Sequence, residues 1–275
     1  MKIYITTCNE YKAITAANVA LLNKYWPGQE IVILCYELPP DFTPPENVQV
    51  ISLGSEPANR IWTDPIIEYF TYRCEDPYFV LLLDDYILVK PVDMVRLKTM
   101  ETEVLNKRAD KAFLTGHLSI KTPEKFPAAI NKYTVRYTFD HLLPEEHKTY
   151  VRMSPRFSND LPTSNAGWGK LGVSPAIWTR EYFLRHIRPN QTLWNFVHDS
   201  EAMVDDGARV IEFADGNNIF KYMHLLTKGK GGTGKTELTP EILGHEEFEV
   251  DEEDLETICE LGLVEIKSVR FRYGY

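Results

Sequence analysis

Hydrophobic positions in the first ninety residues alternate between two periods. Residues 2–7, KIYITT, form a short β-branched run and predict a strand. Ile14, Ala17, Leu21 and Tyr25 then recur every three or four residues, the spacing of a helix with one buried face, and Trp26-Pro27-Gly28 stops it. EIVILCY (30–36) is continuously apolar, as a buried strand is. After the proline-rich loop LPPDFTPPEN (38–47), VQVISLG (48–54) predicts a third strand closed by glycine. A helical segment runs from Trp62 to Cys74. PYFVLLLDDYILV (77–89) begins as a fully apolar strand and breaks at two carboxylates. This alternation predicts an α/β fold with a mixed, mostly parallel central sheet flanked by helices.

The second half is less regular. Residues 92–107 read as a helix, KAFLTGH (111–117) and 131–139 as strands, 179–187 and 193–204 as helices, and 208–214 as a strand. Residues 140–170, rich in Pro, Asn, Ser and Gly, read as a long surface loop of the kind that often carries function. From 237 the chain turns acidic, and GHEEFEVDEEDLETICE reads as a solvated helical tail before a final strand at 264–271. The expected organisation is one domain over 1–236, divided into halves 1–110 and 111–236, with residues 237–275 as an acidic extension packed on it.

The net charge of −10 opposes a large nucleic-acid footprint, although a local basic group and a metal suffice for a small nucleotide. No stretch offers the ~18 apolar residues of a membrane span. The N-terminal MKIYITTCNEY has no apolar h-region, so it reads as a first strand rather than a secretory leader. Cys8, Cys35, Cys74 and Cys259 are scattered without a CxxC pair, which fits reduced thiols in a cytoplasm.

Two motifs compete to be the chemical centre. Residues 229–236, GKGGTGKT, match the P-loop pattern G-x-x-x-x-G-K-T. A P-loop needs a strand before it and a good helix after it, because backbone N–H groups at the helix N-terminus hold the phosphates. Here ELTPEILGHEEF follows, with Pro240 and Gly244 in it, and fewer than fifty residues remain for the rest of a sheet. The other motif is LLLDDYILVKPVD (81–93). Asp84 and Asp85 end an apolar strand, the place where open α/β sheets bind ligands. Paired carboxylates also suit the hard cations Mg²⁺ and Mn²⁺. The plain alternative is a solvated pair that simply ends the strand.

The segment 81–93 resembles the strand–DxD element of GT-A-type glycosyltransferases, in a variant where an aromatic residue, Tyr86, takes the third place. Other stretches resemble bacterial and phage members of that family: YITTCNEY as first strand and nucleotide loop, Trp62-Thr63-Asp64 as W-[ST]-D, and LGVSPAIWTREYFLRHI (171–187) as S-x-x-x-x-W entering a helix. Trp194 and Phe196, with Asp199 and Glu201 displaced, resemble W-x-F-E; Tyr222, His224 and Lys228-Gly229-Lys230 resemble the closing Y/H…KGK element. The resemblance covers roughly residues 1–235 and implies a GT-A-like, Rossmann-like fold. It implies a hexosyl- or pentosyltransferase using a nucleotide-sugar donor and a glycan or other hydroxyl acceptor, with a modified DNA base as a further acceptor class. It assigns Mn²⁺ or Mg²⁺ to Asp85 and His224, and Asp84 to metal or ribose. Thr6, Thr7, Asp64, Lys228 and Lys230 fall on the donor.

Glycosyl transfer also requires a base for the acceptor hydroxyl in the inverting case, and Glu201 and Asp199 are the candidates. Trp168, Trp178 and Trp194 are candidates for stacking on acceptor sugar faces. Each of these residue types has an ordinary role as well: a tryptophan is more often core, a lone histidine structural, an acidic pair on a helix solvated. Two alternative functions stand beside the transferase: a P-loop NTPase using 229–236, and a GT-A-like binding module without turnover.

Overall fold

A computed structural model of the chain describes residues 1–9, 11–38, 40–115, 127–129, 134–137, 171–197, 199, 208–213, 219–224 and 253–254. The chain forms two compact units. The first takes Met1–Glu56, Leu82–Asp93 and Phe220–Tyr275; the second takes Pro57–Leu81 and Met94–Ile219.

In the first unit, β1 (Ile3–Thr6), β2 (Ile31–Cys35) and β3 (Val48–Ser52) lie in the order β3-β2-β1, all parallel. Ile3 pairs with Ile31 and Ile31 with Val48, so the three strands end nearly level. Every residue of β1 and β2 is buried, which explains sequences that are apolar throughout except at Thr6. Helix α1 (Lys12–Tyr25) crosses between β1 and β2. Its predicted stripe of Ile14, Ala17, Leu21 and Tyr25 is buried throughout. Trp26 closes it, its N–H donating to the Leu22 carbonyl at 2.7 Å, and Gly28 turns the chain with φ of +79°, a conformation that costs glycine little. A two-stranded antiparallel ribbon completes this unit: β5 (Tyr86–Leu88) pairs with β11 (Tyr222–His224), His224 opposite Tyr86. Trp26 packs edge-on against Phe220 just before β11, with ring centroids 6.2 Å apart.

The second unit is built on a mixed array ordered β4 (Tyr78–Leu83), β9 (Ala176–Thr179), β6 (Lys111–Phe113), β10 (Val210–Phe213), β8 (Thr134–Tyr137), β7 (Pro127–Ala129). β6 and β10 are parallel; the other pairs are antiparallel. Around it lie α2 (Thr63–Tyr72), α3 (Met94–Leu105), α4 (Arg180–His186) and α5 (Leu193–Val197). Its core is aromatic: Phe70 stacks on Phe79 at 4.4 Å, and Phe183 meets both edge-on.

The α/β class and the mixed sheet with flanking helices are as the sequence predicts. The strands β7, β9 and β11 are additions to that reading. β9 runs straight into α4 with no intervening loop, and only four residues give no period to read. The predicted loop at 140–170, most of the acidic tail and the strand at 264–271 lie outside the described residues. Asp254, from within that tail, is fully buried. Its carboxylate takes Lys24 Nζ at 2.5 Å on one oxygen and the Tyr25 hydroxyl on the other, both at the end of α1.

Candidate functional site

The carboxylates are placed by the end of β4. Four buried residues, Phe79–Leu82, carry the strand through the core, and the chain then turns at Asp84-Asp85 into β5. The Asp84 N–H donates to the Thr6 carbonyl at 3.2 Å, which ties the turn to the last residue of β1. The next residue, Thr7, donates its hydroxyl to the Asp84 carboxylate at 2.6 Å. Thr6, Thr7 and Asp84, predicted separately along the sequence, are therefore in direct contact at the carboxyl end of β1. All three are buried.

The electrostatics of this turn are unusual. Burial, reinforced by the neighbouring charge of Asp85, pushes the Asp84 carboxyl up to about 8, against the pull of the Thr7 hydroxyl and nearby backbone N–H groups. Neighbouring carboxylates resist ionising together, and a bound cation would relieve that repulsion. Burial and the charge of Asp85 also raise the Tyr222 hydroxyl on the facing strand. Tyr222 meets Tyr86 edge-on at 4.9 Å. His224 occupies the position in β11 paired with Tyr86, two residues from Asp84 in the chain.

Further side chains gather at the carboxyl ends of β1–β3, and the sequence reading did not single them out. Glu56 accepts from the Asn9 N–H at 3.2 Å, and Lys12, in the first turn of α1, pairs with Glu37 at 2.6 Å. Burial, then Glu56 and Cys8, push the Tyr36 hydroxyl up to about 12. The signal available was positional, since these residues end or soon follow predicted strands. Asn18, in the middle of α1, was also missed. It donates to the carbonyls of the carboxylate turn, and nothing in its local sequence distinguishes it from a surface asparagine.

The remaining predicted residues that are described lie in the second unit. Trp62-Thr63-Asp64 starts α2 and meets the turn at 188–191. The Asp64 carboxylate accepts from the Asn190 N–H at 2.6 Å, where Asn190 has φ of +64°. Thr63 accepts from the Gln191 N–H at 2.9 Å and returns its own N–H to the Gln191 carbonyl at 3.1 Å. Trp62 packs on Phe196, ring centroids 5.5 Å apart. Asp199 accepts from Gln191 Nε2 at 2.9 Å and faces Arg188 Nε at 3.5 Å. The two stretches that the resemblance quoted separately, W-T-D and W-x-F, thus form one clamp, and within it the contact shown for Asp64 is to backbone. Trp194 is 58% exposed, as a stacking surface requires.

Trp178 corrects an expectation. It is fully buried, stacked on Tyr182 at 5.7 Å and covered by Lys111 Nζ at 3.8 Å from its ring centre. Such a ring has no face to offer an acceptor sugar, so Trp178 is core. Lys111 is itself fully buried, donating to the Gly172 carbonyl at 2.6 Å, and burial lowers its ammonium well below the usual range. Glu201, Trp168, Lys228, Lys230 and the string 229–236 lie outside the described residues.

No family model and no curated protein matches the chain. Among solved structures, galactosyltransferase LgtC in complex with donor and acceptor sugar analogs aligns at 9% identity with a TM-score of 0.42, over 76% of this chain and 73% of that one. An active-site mutant of LgtC aligns at 10% identity and a TM-score of 0.40, over 76% and 72%. The apo WbbM bifunctional glycosyltransferase aligns at 8% identity and a TM-score of 0.39, over 76% of this chain and 38% of that one. These neighbours are glycosyltransferases, the family whose GT-A type the sequence resembles.

Among the described residues no group of three or more His, Cys, Asp or Glu side chains stands ready to hold a metal ion. The oxygen donors present are the adjacent carboxylates of Asp84 and Asp85. That set fits a hard divalent cation whose remaining ligands come from a diphosphate and water. No described helix is long and apolar enough to cross a membrane.

Proposed function

We propose that this protein is a glycosyltransferase that moves a hexose or pentose from a nucleotide-diphosphate donor to an acceptor hydroxyl. The observation that carries the reading is the contact of Asp84 with Thr7 at the carboxyl end of β1, with Asp85 beside it. That arrangement puts paired carboxylates where an α/β sheet binds a nucleotide. Asp85, with Asp84, would hold Mn²⁺ or Mg²⁺, whose charge offsets that of the departing diphosphate. The bond between the anomeric carbon and the diphosphate oxygen breaks as the acceptor oxygen bonds to that carbon. In the inverting case the acceptor proton would pass to a carboxylate, for which Asp199 and Glu201 are the candidates. Thr6 and Thr7 shape the donor side of the turn, and Lys228 and Lys230 supply positive charge to the leaving group. The exposed ring of Trp194 suits an acceptor sugar face. A glycan precursor is the favoured acceptor, because the net charge of −10 works against a long DNA contact.

Thermal stability against UDP-, GDP-, CMP- and ADP-sugars and ATP, with and without Mn²⁺, tests this reading. A ligand that binds only the folded state raises the midpoint by mass action. One nucleotide sugar should raise it in a Mn²⁺-dependent manner, and Asp85→Asn should abolish the rise. A panel in which no sugar nucleotide shifts the wild type overturns the proposal.

A further inference from the structure

The core-facing stripe of α1 is apolar except at two fully buried positions, Thr15 and Asn18, and only Asn18 carries an amide. Asparagine is a mediocre residue for a helix interior, and a buried amide costs free energy unless its hydrogen bonds are made. Asn18 spends its donors on one target. Its Nδ2 lies 2.9 Å from the Asp84 carbonyl, 3.2 Å from that of Tyr86 and 3.5 Å from that of Leu83. Only the NH₂ group can face three carbonyl oxygens, so the orientation of the amide is fixed by what it meets. These carbonyls stand before, within and after the Asp84-Asp85 turn. Tying them to a helix fixes the peptide planes on both sides of Asp84 and the plane that follows Tyr86, and so holds in place the stretch from which both carboxylates leave the backbone.

We propose that Asn18 is a positioning residue: it sets the geometry of the carboxylate turn from behind, without touching ligand. Its effect on cation binding rests on the transferase reading above; its effect on the turn does not. A packing role alone would be met by any apolar residue of similar size, whereas three converging carbonyls need a donor. The same interaction braces the turn at the end of a short, six-residue strand against the helix behind it.

The test compares Asn18→Leu, which keeps the volume and removes the donors, with Asn18→Ser as a second variant in case the first fails to fold. Val19→Ala, a core truncation on the same helix, is the control for general loosening. Two readouts are needed: amide hydrogen exchange over residues 84–88, and Mn²⁺ binding followed by electron paramagnetic resonance, alone and with UDP or GDP, with Asp85→Asn as blank. The expected result is faster exchange at 84–88 and Mn²⁺ affinity lower by about tenfold or more, the scale of losing a group that orients a metal ligand. Val19→Ala should move neither. Unchanged exchange at 84–88 in the Asn18 variants overturns the inference whatever the metal does. Faster exchange with unchanged Mn²⁺ affinity also overturns it, since the turn would then not need Asn18 to bind. A wild type that takes up no Mn²⁺, with exchange still raised in the variants, overturns the transferase reading and leaves Asn18 as the residue that sets the turn.

Discussion

Asp84 shows how much one residue's surroundings decide. Its carboxyl is held up to about 8 by burial and by Asp85, far above the 3.8 of an exposed aspartate. Between those values the folded chain keeps a proton that the unfolded chain releases. The stability this provides is therefore fullest below about pH 4 and drains away as pH rises toward 8. Asp84→Asn mimics the protonated form at every pH. In the absence of metal, the variant should gain on the wild type steadily from pH 5 to pH 8 in urea unfolding, by roughly a few kcal/mol at the upper end. Parallel pH profiles for the two proteins would mean that Asp84 is ionised in the folded state throughout. Trp178 teaches the converse lesson. Its side chain is of a type that serves equally in a core and on a sugar-binding surface, and only the packing of Tyr182, Phe183 and Lys111 around it decides.

Between elements, the contacts that define the second unit join distant parts of the sequence. Arg180, the first residue of α4, sends Nε to the Phe70 carbonyl at 2.6 Å and Nη2 to the Thr71 carbonyl at 2.9 Å. Those carbonyls belong to the last turn of α2, where the helix dipole favours a cation and the carbonyls lack partners within the helix. Arg180→Met keeps the aliphatic stem and removes the fork, and should cost about 1–3 kcal/mol in urea unfolding. Arg180→Lys should recover part of that loss, and a neutral Arg180→Met would show that the α2 terminus is satisfied by water. Such pairings explain where sequence reading stops. The strands β1, β2 and β4, the helix α1 and the carboxylate turn were legible because each announces itself within a dozen residues, by period or by an abrupt end to an apolar run. The bonds between Asp64 and Asn190 and between Thr63 and Gln191 were not, because their partners are over a hundred residues apart and neither side has a local signature. Asn18 fell to the same blindness: its role lies in the carbonyls of another segment. The pair Asp84-Asp85 was found by position, yet its coupling to Thr7 became visible only with β1 and β4 in place.

For the molecule as a whole, the first unit is assembled from three separate stretches of chain. The last of them enters at Phe220, packs against Trp26 and pairs through β11 with β5, the strand that leaves the carboxylate turn. Lys228 follows His224 by four residues, so the basic run that includes GKGGTGKT comes soon after β11 in the sequence. That connection bears on the two competing uses of the string. In a P-loop enzyme Lys235 would reach the β- and γ-phosphates and be indispensable. In the transferase reading the early lysines, 228 and 230, meet the leaving diphosphate, and Lys235 is an extension of the same segment. Lys235→Ala should accordingly leave the Mn²⁺-dependent shift with the nucleotide sugar nearly intact, while the double change Lys228→Ala and Lys230→Ala should reduce it. The opposite pattern, a stabilisation by ATP in the wild type that Lys235→Ala removes, would transfer the chemistry from the carboxylate turn to the glycine string. The first outcome is the expected one because the carboxylates stand at the end of a buried strand, tied to Thr6 and Thr7 at the end of β1 by two hydrogen bonds and to α1 by Asn18. Rigid placement of that kind is what a site that discriminates a transition state requires.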